Sequence, residues 1–372
     1  MFSRYNLKIV ESYVFYNDIK NGCGNEKCFS ISNSSKYAID IGGTLIKLVY
    51  TIKLENQIML KEEEEFFYKC FNCINLNDCV KDESVDISFP SLILFCLIPE
   101  NDLSAILQLE NIFGFLVERG LYVINEIVPM TGGGSIKYKT IIESKYNISI
   151  SHIDEISGIV MGYFKLFENK IINKIFNYTV YCEKKEINMI NNSIISHSIL
   201  LPTLIVSVGS GISIIKVETK NKFERIGGTR FGGGIVYGLG KLLGINSYDE
   251  LLSIYKKMND IENNTEDSFK NENCYFKEIL FSSLNNSNLK IKEKVINDII
   301  NMMYTDLSYL LCLLLLKHEI RNIVFCGNNV SNNYNIILKS LKKCSNFLIE
   351  DNINIFFHRL DGFFGAIGAY FI

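Results

Sequence analysis

Tryptophan is absent and proline occurs 4 times in 372 residues. The proline scarcity, beside abundant Asn, Ile and Lys, reads as a bias of base composition and not as a mark of function. No apolar run reaches the ~20 residues that a bilayer requires. The most apolar one, LSYLLCLLLL at 307–316, stops at Lys317 and His318 and fits part of a buried helix. The opening MFSRYNLKIVESYVFY is too polar for the apolar core of a signal peptide, so secretion is not expected. No cationic stripe exists either: 38 basic residues are scattered under a net charge of −3, which argues against nucleic acid as a partner. Eleven cysteines, an odd number at irregular spacing without a secretory signal, fit free thiols in a reducing cytoplasm. Cys70 and Cys73, with Cys79 nearby, would make half a zinc site, but no second CxxC or HxxxH follows, so unrelated thiols are the better reading.

Hydrophobic residues at 48% and charged ones at 21% give the balance of a folded globular protein. The length allows two domains, or one large domain built from two halves. Two regions share a layout. From Tyr37, a strand, a Gly turn and a returning strand through Leu54 lead by way of KEEEEFF to SLILFCLIP and a helix near 102–119. From Pro202, TLIVSVGSGISIIKVE repeats strand, turn and strand, followed by KFERIGGT and a helix opening at GGGIVYGLGKLL. Residues 290–319 carry apolar positions at helical spacing, RNIVFCGNNV and NINIFF read as strands, and FFGAIGAYFI as a closing helix. Residues 259–273 read as a polar surface insertion. Alternating strands and helices predict an α/β chain of two halves with a cleft between them.

Four glycine turns follow or separate apolar strands: IGGT at 41–44, TGGG at 131–134, GSGIS at 209–213 and GGTRFGGG at 227–234. Glycine lets backbone N–H groups approach phosphate oxygens closely. None of the four is a Walker A loop or a GxGxxG opening a helix, and each alone reads equally as a hairpin turn. As a set they can converge on one cleft. Asp40, just before Gly42, Gly43 and Thr44, is placed to hold Mg²⁺ through water while Thr44 and the glycine amides meet phosphates; the alternative is a turn cap. Lys47, on the returning strand, points either to the cleft or to solvent.

AIDIGGTLIKLVY, TGGGSIKY, LIVSVGSGISIIKV, FERIGGTRFGGGIVYGL, NIVFCGNNV and DGFFGAIGAY stand in the order and approximate spacing of the eukaryotic, or type II, pantothenate kinases, which this chain resembles over residues 37–372. The resemblance implies a two-lobed actin-like ATPase fold of duplicated RNase H-like halves with ATP in the interlobe cleft. It divides the chain into an extension at 1–35, a first lobe at 36–165 and a second at 166–372, with residues 290–319 as a dimer helix; a helix buried within one chain is the alternative. It implies Mg-ATP-dependent phosphorylation of pantothenate to 4'-phosphopantothenate, the first step of coenzyme A synthesis, by a cytoplasmic homodimer with acetyl-CoA or another acyl-CoA as feedback inhibitor.

Residue by residue, it makes Glu155 the catalytic carboxylate, in a segment that starts a helix with Ser151 as candidate N-cap and Asp154 as a helix-start residue. Taken without it, acids there complement the helix dipole. It assigns Ser210, Ser213 and Arg225 to pantothenate and the transferred phosphate, where the residues alone also allow a turn former or a surface ion pair. Gly327 and Asn328 fall near adenine and ribose, and Gly42, Gly43, Thr44, Lys47, Gly209, Gly211, Gly232 and Gly233 around the phosphates. Three departures bear on the pocket and on feedback inhibition: Arg230 inside the fourth turn, the absent tryptophan, and bulky Leu280 and Phe281 in ILFSSLNN. Two other readings stay open, a regulatory subunit of a heteromeric pantothenate kinase and a sugar or amino-sugar kinase.

Overall fold

A computed structural model describes residues 8–15, 37–42, 45–53, 61, 91–97, 105–168, 175–181, 186–190, 200–247, 250–255, 257, 291–328, 330, 333–349, 351–358 and 360–372. Gly43, Thr44, the three clustered cysteines at 70, 73 and 79, the insertion at 259–273 and Leu280 with Phe281 lie outside them.

The first sheet holds β1 (Lys8–Phe15), β2 (Tyr37–Ile41), β3 (Ile46–Lys53), β4 (Ser91–Leu97), β5 (Ile127–Thr131) and β6 (Ser149–His152), in the order β1-β4-β3-β2-β5-β6. The second holds β7 (Ile175–Tyr181), β8 (Glu186–Ile190), β9 (Thr203–Val208), β10 (Ile212–Thr219), β11 (Lys222–Thr229), β12 (Asn322–Cys326) and β13 (Ile353–His358), in the order β11-β10-β9-β12-β13-β7-β8. One pattern underlies both. Three consecutive strands form an antiparallel meander, β2-β3-β4 or β9-β10-β11, and two later strands add in parallel on the far side of the first. This is the duplicated RNase H-like half of a two-lobed actin-like fold. The shared layout of the two regions is therefore a true repeat of topology.

The helices are α1 (Ala105–Glu118), α2 (Gly133–Lys137), α3 (Lys139–Tyr146), α4 (Glu155–Glu168), α5 (Gly233–Leu242), α6 (Ile291–His318), α7 (Tyr334–Leu348) and α8 (Phe364–Phe371). They divide the interior into three cores. One packs α1 against the first sheet through Ile112, Phe113 and Leu116, with Ile39, Leu48 and Tyr50 opposite. A second, on the outer side of the second sheet, joins α6 and α7 to Leu204, Val206, Ile323 and Phe325. The third lies between the sheets, where α4 and α8 touch Ala38 and Val49 on one side and Ile205, Ile215 and Val324 on the other. The central strands β2 and β9 are covered on both faces, which is why they read as unbroken apolar runs and not as an alternation.

The α4–α8 pair is unusually close because both helices present glycine at the contact. A Cβ on Gly162 would overlap the carbonyl of Phe364, and one on Gly368 the carbonyl of Gly158. Backbone rests on backbone, and this anchors the start of α4 to the middle of the molecule. The helix α6 is long and apolar enough over Lys292–His318 to cross a membrane by length and composition, but Leu307, Leu311 and Leu315 are buried in the second-sheet core.

Candidate active site

The two topological repeats bring their glycine turns to the same ends of their first strands. Asp40 closes β2 and is buried, pairs in register with Lys47 on β3, and forms an ion pair with it at 2.9 Å, both side chains being 12% exposed. Lys47 is thus committed to Asp40. The turn after β5 presses on the same carboxylate: Gly132 has φ +83, and a Cβ there would stand 2.6 Å from Asp40 Oδ1. A left-handed backbone with no room for Cβ admits glycine alone.

Glu155 is the first residue of α4. Its helix is capped by Asp154, whose Oδ2 accepts from the Ser157 amide at 3.0 Å and the Ser157 hydroxyl at 3.1 Å. Ser151, the expected cap, lies inside β6 instead. The Glu155 side chain is open to solvent yet crowded by protein, and that partial burial raises its pKa above the ordinary carboxylate value. Asp40 and Asp154 raise it further, while Lys47 and Arg225 oppose them. These charges act on one another because the fold has gathered them, from β2, β3, α4 and β11, around one point.

The second lobe supplies the opposite wall. The turn after β9 is closed by the Gly209 amide donating to Gly211 at 2.9 Å, and the start of α5 is laid on it, Gly233 N–H donating to the Gly209 carbonyl at 2.9 Å and Gly234 N–H to that of Ser210 at 3.0 Å. Gly209, Ser210, Gly211, Gly232 and Gly233 therefore form one assembly. Ser213 stands on β10 beside it, opposite Gly228. Gly327 follows β12 and donates to the Asp361 carbonyl at 2.9 Å, and the Asn328 side chain lies against Gly362.

One element differs from expectation. Gly227 and Gly228 belong to β11 and not to a turn, as does Arg225. The reason is the close approach of β10: at Gly228, φ +148, a Cβ would overlap the Ile212 carbonyl oxygen, with Arg225 Nη2 next at 2.7 Å. The Arg225 guanidinium lies over the same glycine. Arg230, just beyond β11, is exposed.

Sequence reasoning passed over three residues. Asp361, buried, contributes its carbonyl to Gly327. Thr131 is fully buried with its hydroxyl against Gly158 and its methyl against Gly365, beside Asp40. Cys326 lies under the cleft floor, where burial pushes its thiol up to about 12, against a hydrogen bond with Ser207, which makes it packing and not a nucleophile. The signal for the first two was present in DGFFG and TGGG, read only for their glycines.

For a divalent ion the donors fit in one manner. No group of three or more His, Cys, Asp or Glu able to hold a metal occurs among the described residues. Mg²⁺ keeps several waters and is commonly bound by one or two carboxylates together with substrate phosphates. Asp40 beside Glu155, facing backbone amides, suits that arrangement.

The sequence model of the Fumble family matches residues 36–372, all of both repeats. The chain belongs to the Fumble family. This is the family of type II pantothenate kinases. Among Fumble-related proteins, pantothenate kinase 1 of Arabidopsis thaliana is 28% identical over 357 residues, covering 90% of this chain and 85% of that protein. A 4'-phosphopantetheine phosphatase of Mus musculus is 25% identical over 351 residues, covering 92% of this chain; the chain spans 41% of the mouse protein's length. A solved ROK family glucokinase from Streptomyces griseus, in complex with glucose and AMPPNP, is similar at a TM-score of 0.44 and 11% identity, over 90% of this chain and 97% of that one.

Proposed function

We propose that this Fumble-family chain is a pantothenate kinase that transfers the γ-phosphoryl group of ATP to the primary hydroxyl of pantothenate, giving 4'-phosphopantothenate and ADP at the start of coenzyme A synthesis. The observation that carries the reading is the convergence of Glu155, Asp40, Lys47 and Arg225 from four elements of a chain whose family match covers both lobes.

Each residue then has a task. Glu155 accepts the hydroxyl proton as the substrate oxygen bonds to the γ-phosphorus and the bond from that phosphorus to the β–γ bridging oxygen breaks. A carboxylate whose pKa is raised toward neutrality is a better proton acceptor at physiological pH than an ordinary one. Arg225, with Ser210 and Ser213, holds the polar end of pantothenate and offsets charge developing on the phosphoryl oxygens. The turns at Gly42, Gly209, Gly211, Gly232 and Gly233 let phosphates approach the backbone closely, and Gly327 with Asn328 bounds the nucleoside side. Asp40 would hold Mg²⁺ through water, with the Lys47 ion pair aiming its carboxylate. When bound, the ion neutralises charge on the β- and γ-phosphates.

The reading extends to a cytoplasmic homodimer joined along α6, where Leu313 at 55% and Leu316 at 41% exposure offer an apolar face, and to inhibition by acetyl-CoA or another acyl-CoA. Purified protein given Mg²⁺, ATP and labelled pantothenate is expected to form phosphopantothenate, seen by mass spectrometry. Turnover of N-acetylated amino sugars but not of pantothenate would replace the reading with a sugar kinase, and no turnover by the lone chain would favour a regulatory subunit.

A further inference from the structure

His152 ends β6, three residues before Glu155, and its ring Nδ1 lies 2.8 Å from the hydroxyl of Ser135. Ser135 is fully buried at the start of α2, immediately after the glycine turn. Its hydroxyl already donates to the Gly132 carbonyl at 2.7 Å, and its amide donates to the same oxygen at 3.1 Å. A hydroxyl has one proton to give: with it directed to the Gly132 carbonyl, the Ser135 oxygen accepts from His152. The proton in that bond belongs to Nδ1. His152 is thereby held in the Nδ1–H form with Nε2 facing out. The other described histidine on a strand is set the opposite way: His358 Nδ1 accepts from the Leu360 amide at 2.9 Å, so its neutral ring carries the proton on Nε2.

We infer that His152, acting through Ser135, is a positioning residue that clamps the Gly132 turn against Asp40 and so fixes Asp40 relative to Glu155. The chain of contacts is continuous. His152 holds Ser135, Ser135 holds the Gly132 carbonyl with both of its donors, and Gly132 is packed on Asp40 Oδ1 and the Ile41 carbonyl. A second link, the Ile153 amide to the Met130 carbonyl at 2.8 Å, ties the same stretch to β5, so the approach to Glu155 is braced at both ends. Protonation of Nε2 leaves the Nδ1–H bond in place, and the clamp holds in either charge state. Neither His152 nor Ser135 touches the reacting atoms in this scheme. A neutral imidazole free in water favours the proton on Nε2, so the Nδ1–H form is a signature of the clamp itself.

The role assigned rests on the proposed tasks of Asp40 and Glu155, and the test separates the two. Long-range ¹H–¹⁵N spectra of the full chain labelled with ¹⁵N-histidine, at a pH where the rings are neutral, are read without any turnover. The signal lost in His152→Asn is expected to show the Nδ1–H pattern; an Nε2–H or averaged pattern overturns the inference whatever the enzyme does. In phosphopantothenate assays, Ser135→Ala and His152→Ala are each expected to lower kcat about tenfold with little change in KM. The double variant should be no worse than His152→Ala, and His152→Asn, whose amide can donate from the same direction, should recover most of the rate. Unchanged kcat in both single variants, or effects that multiply in the double, would also overturn it. Absence of pantothenate turnover in the wild-type protein counts against the proposed function, and the clamp is then decided by the spectra.

Discussion

Under the proposed function, Glu155 contributes in opposite senses to activity and to stability. Its pKa is raised by burial and by Asp40, so folding favours the protonated carboxyl. The ionised form is a liability above the folded-state pKa, and the liability vanishes below the ordinary carboxylate value, where folded and unfolded chains both carry the proton. Glu155→Gln is therefore expected to melt slightly higher than wild type at pH 7.5, with the gap closing on acidification. The same variant should lose ~10²–10⁴-fold in kcat, the range typical of removing a general base. The acid limb of wild-type kcat should lie above the usual carboxylate range. A second residue-scale expectation concerns Arg225: Arg225→Gln should raise KM for pantothenate more than KM for ATP, whereas a purely structural fault would move both. At this scale the sequence singled out Asp40 before two glycines, and the structure brings that residue to Lys47 and into the electrostatic reach of Glu155. It was misleading about Gly227 and Gly228, because a glycine that admits a neighbouring strand or side chain looks in one dimension like a glycine that makes a turn.

Among the elements, the α4–α8 contact decides most. Placing a methyl group between the helices at Gly162 or Gly368 forces backbone apart, and overpacking of this kind costs about 1–3 kcal/mol. Urea denaturation of Gly368→Ala should show the loss, with kcat reduced as well because α4 carries Glu155; Gly238→Ala, where a Cβ meets open space inside a helix, should instead gain up to about 1 kcal/mol. Strong elements were legible: β2, β9, β12, β13, α6 and α8 stand where periodicity puts them. The parallel strands β5 and β6 were not. IVPMT contains a proline and SISH has four residues, three of them exposed, so neither shows a run or an alternation, and they become strands only because β2 offers an edge to pair with.

For the molecule as a whole, the repeat of one topology with two sets of glycine turns makes ligand binding and stability a single measurement. A ligand that binds only the folded form at 100 times its Kd adds about 2.7 kcal/mol. ATP with Mg²⁺ should raise the melting temperature clearly, ATP with EDTA much less, and Asp40→Asn should remove most of the difference between them. Equality of the two in wild type would count against a metal role for Asp40. Mass measurement in solution is expected to give twice 42.6 kDa, and Leu313→Glu with Leu316→Glu to reduce it to one chain.

The position of α8 has a consequence for how the protein is made. Phe364–Phe371 is buried between the sheets, against Ala38 and Val49 of the first one and Ile205 and Val324 of the second. As the chain leaves the ribosome, the β2–β3 hairpin emerges roughly 300 residues ahead of the helix that covers it. Throughout that interval its inner apolar face lacks its permanent cover, so synthesis of this protein leans on whatever shields that face in the meantime, and a nascent chain released before residue 364 leaves both lobes open along the same seam.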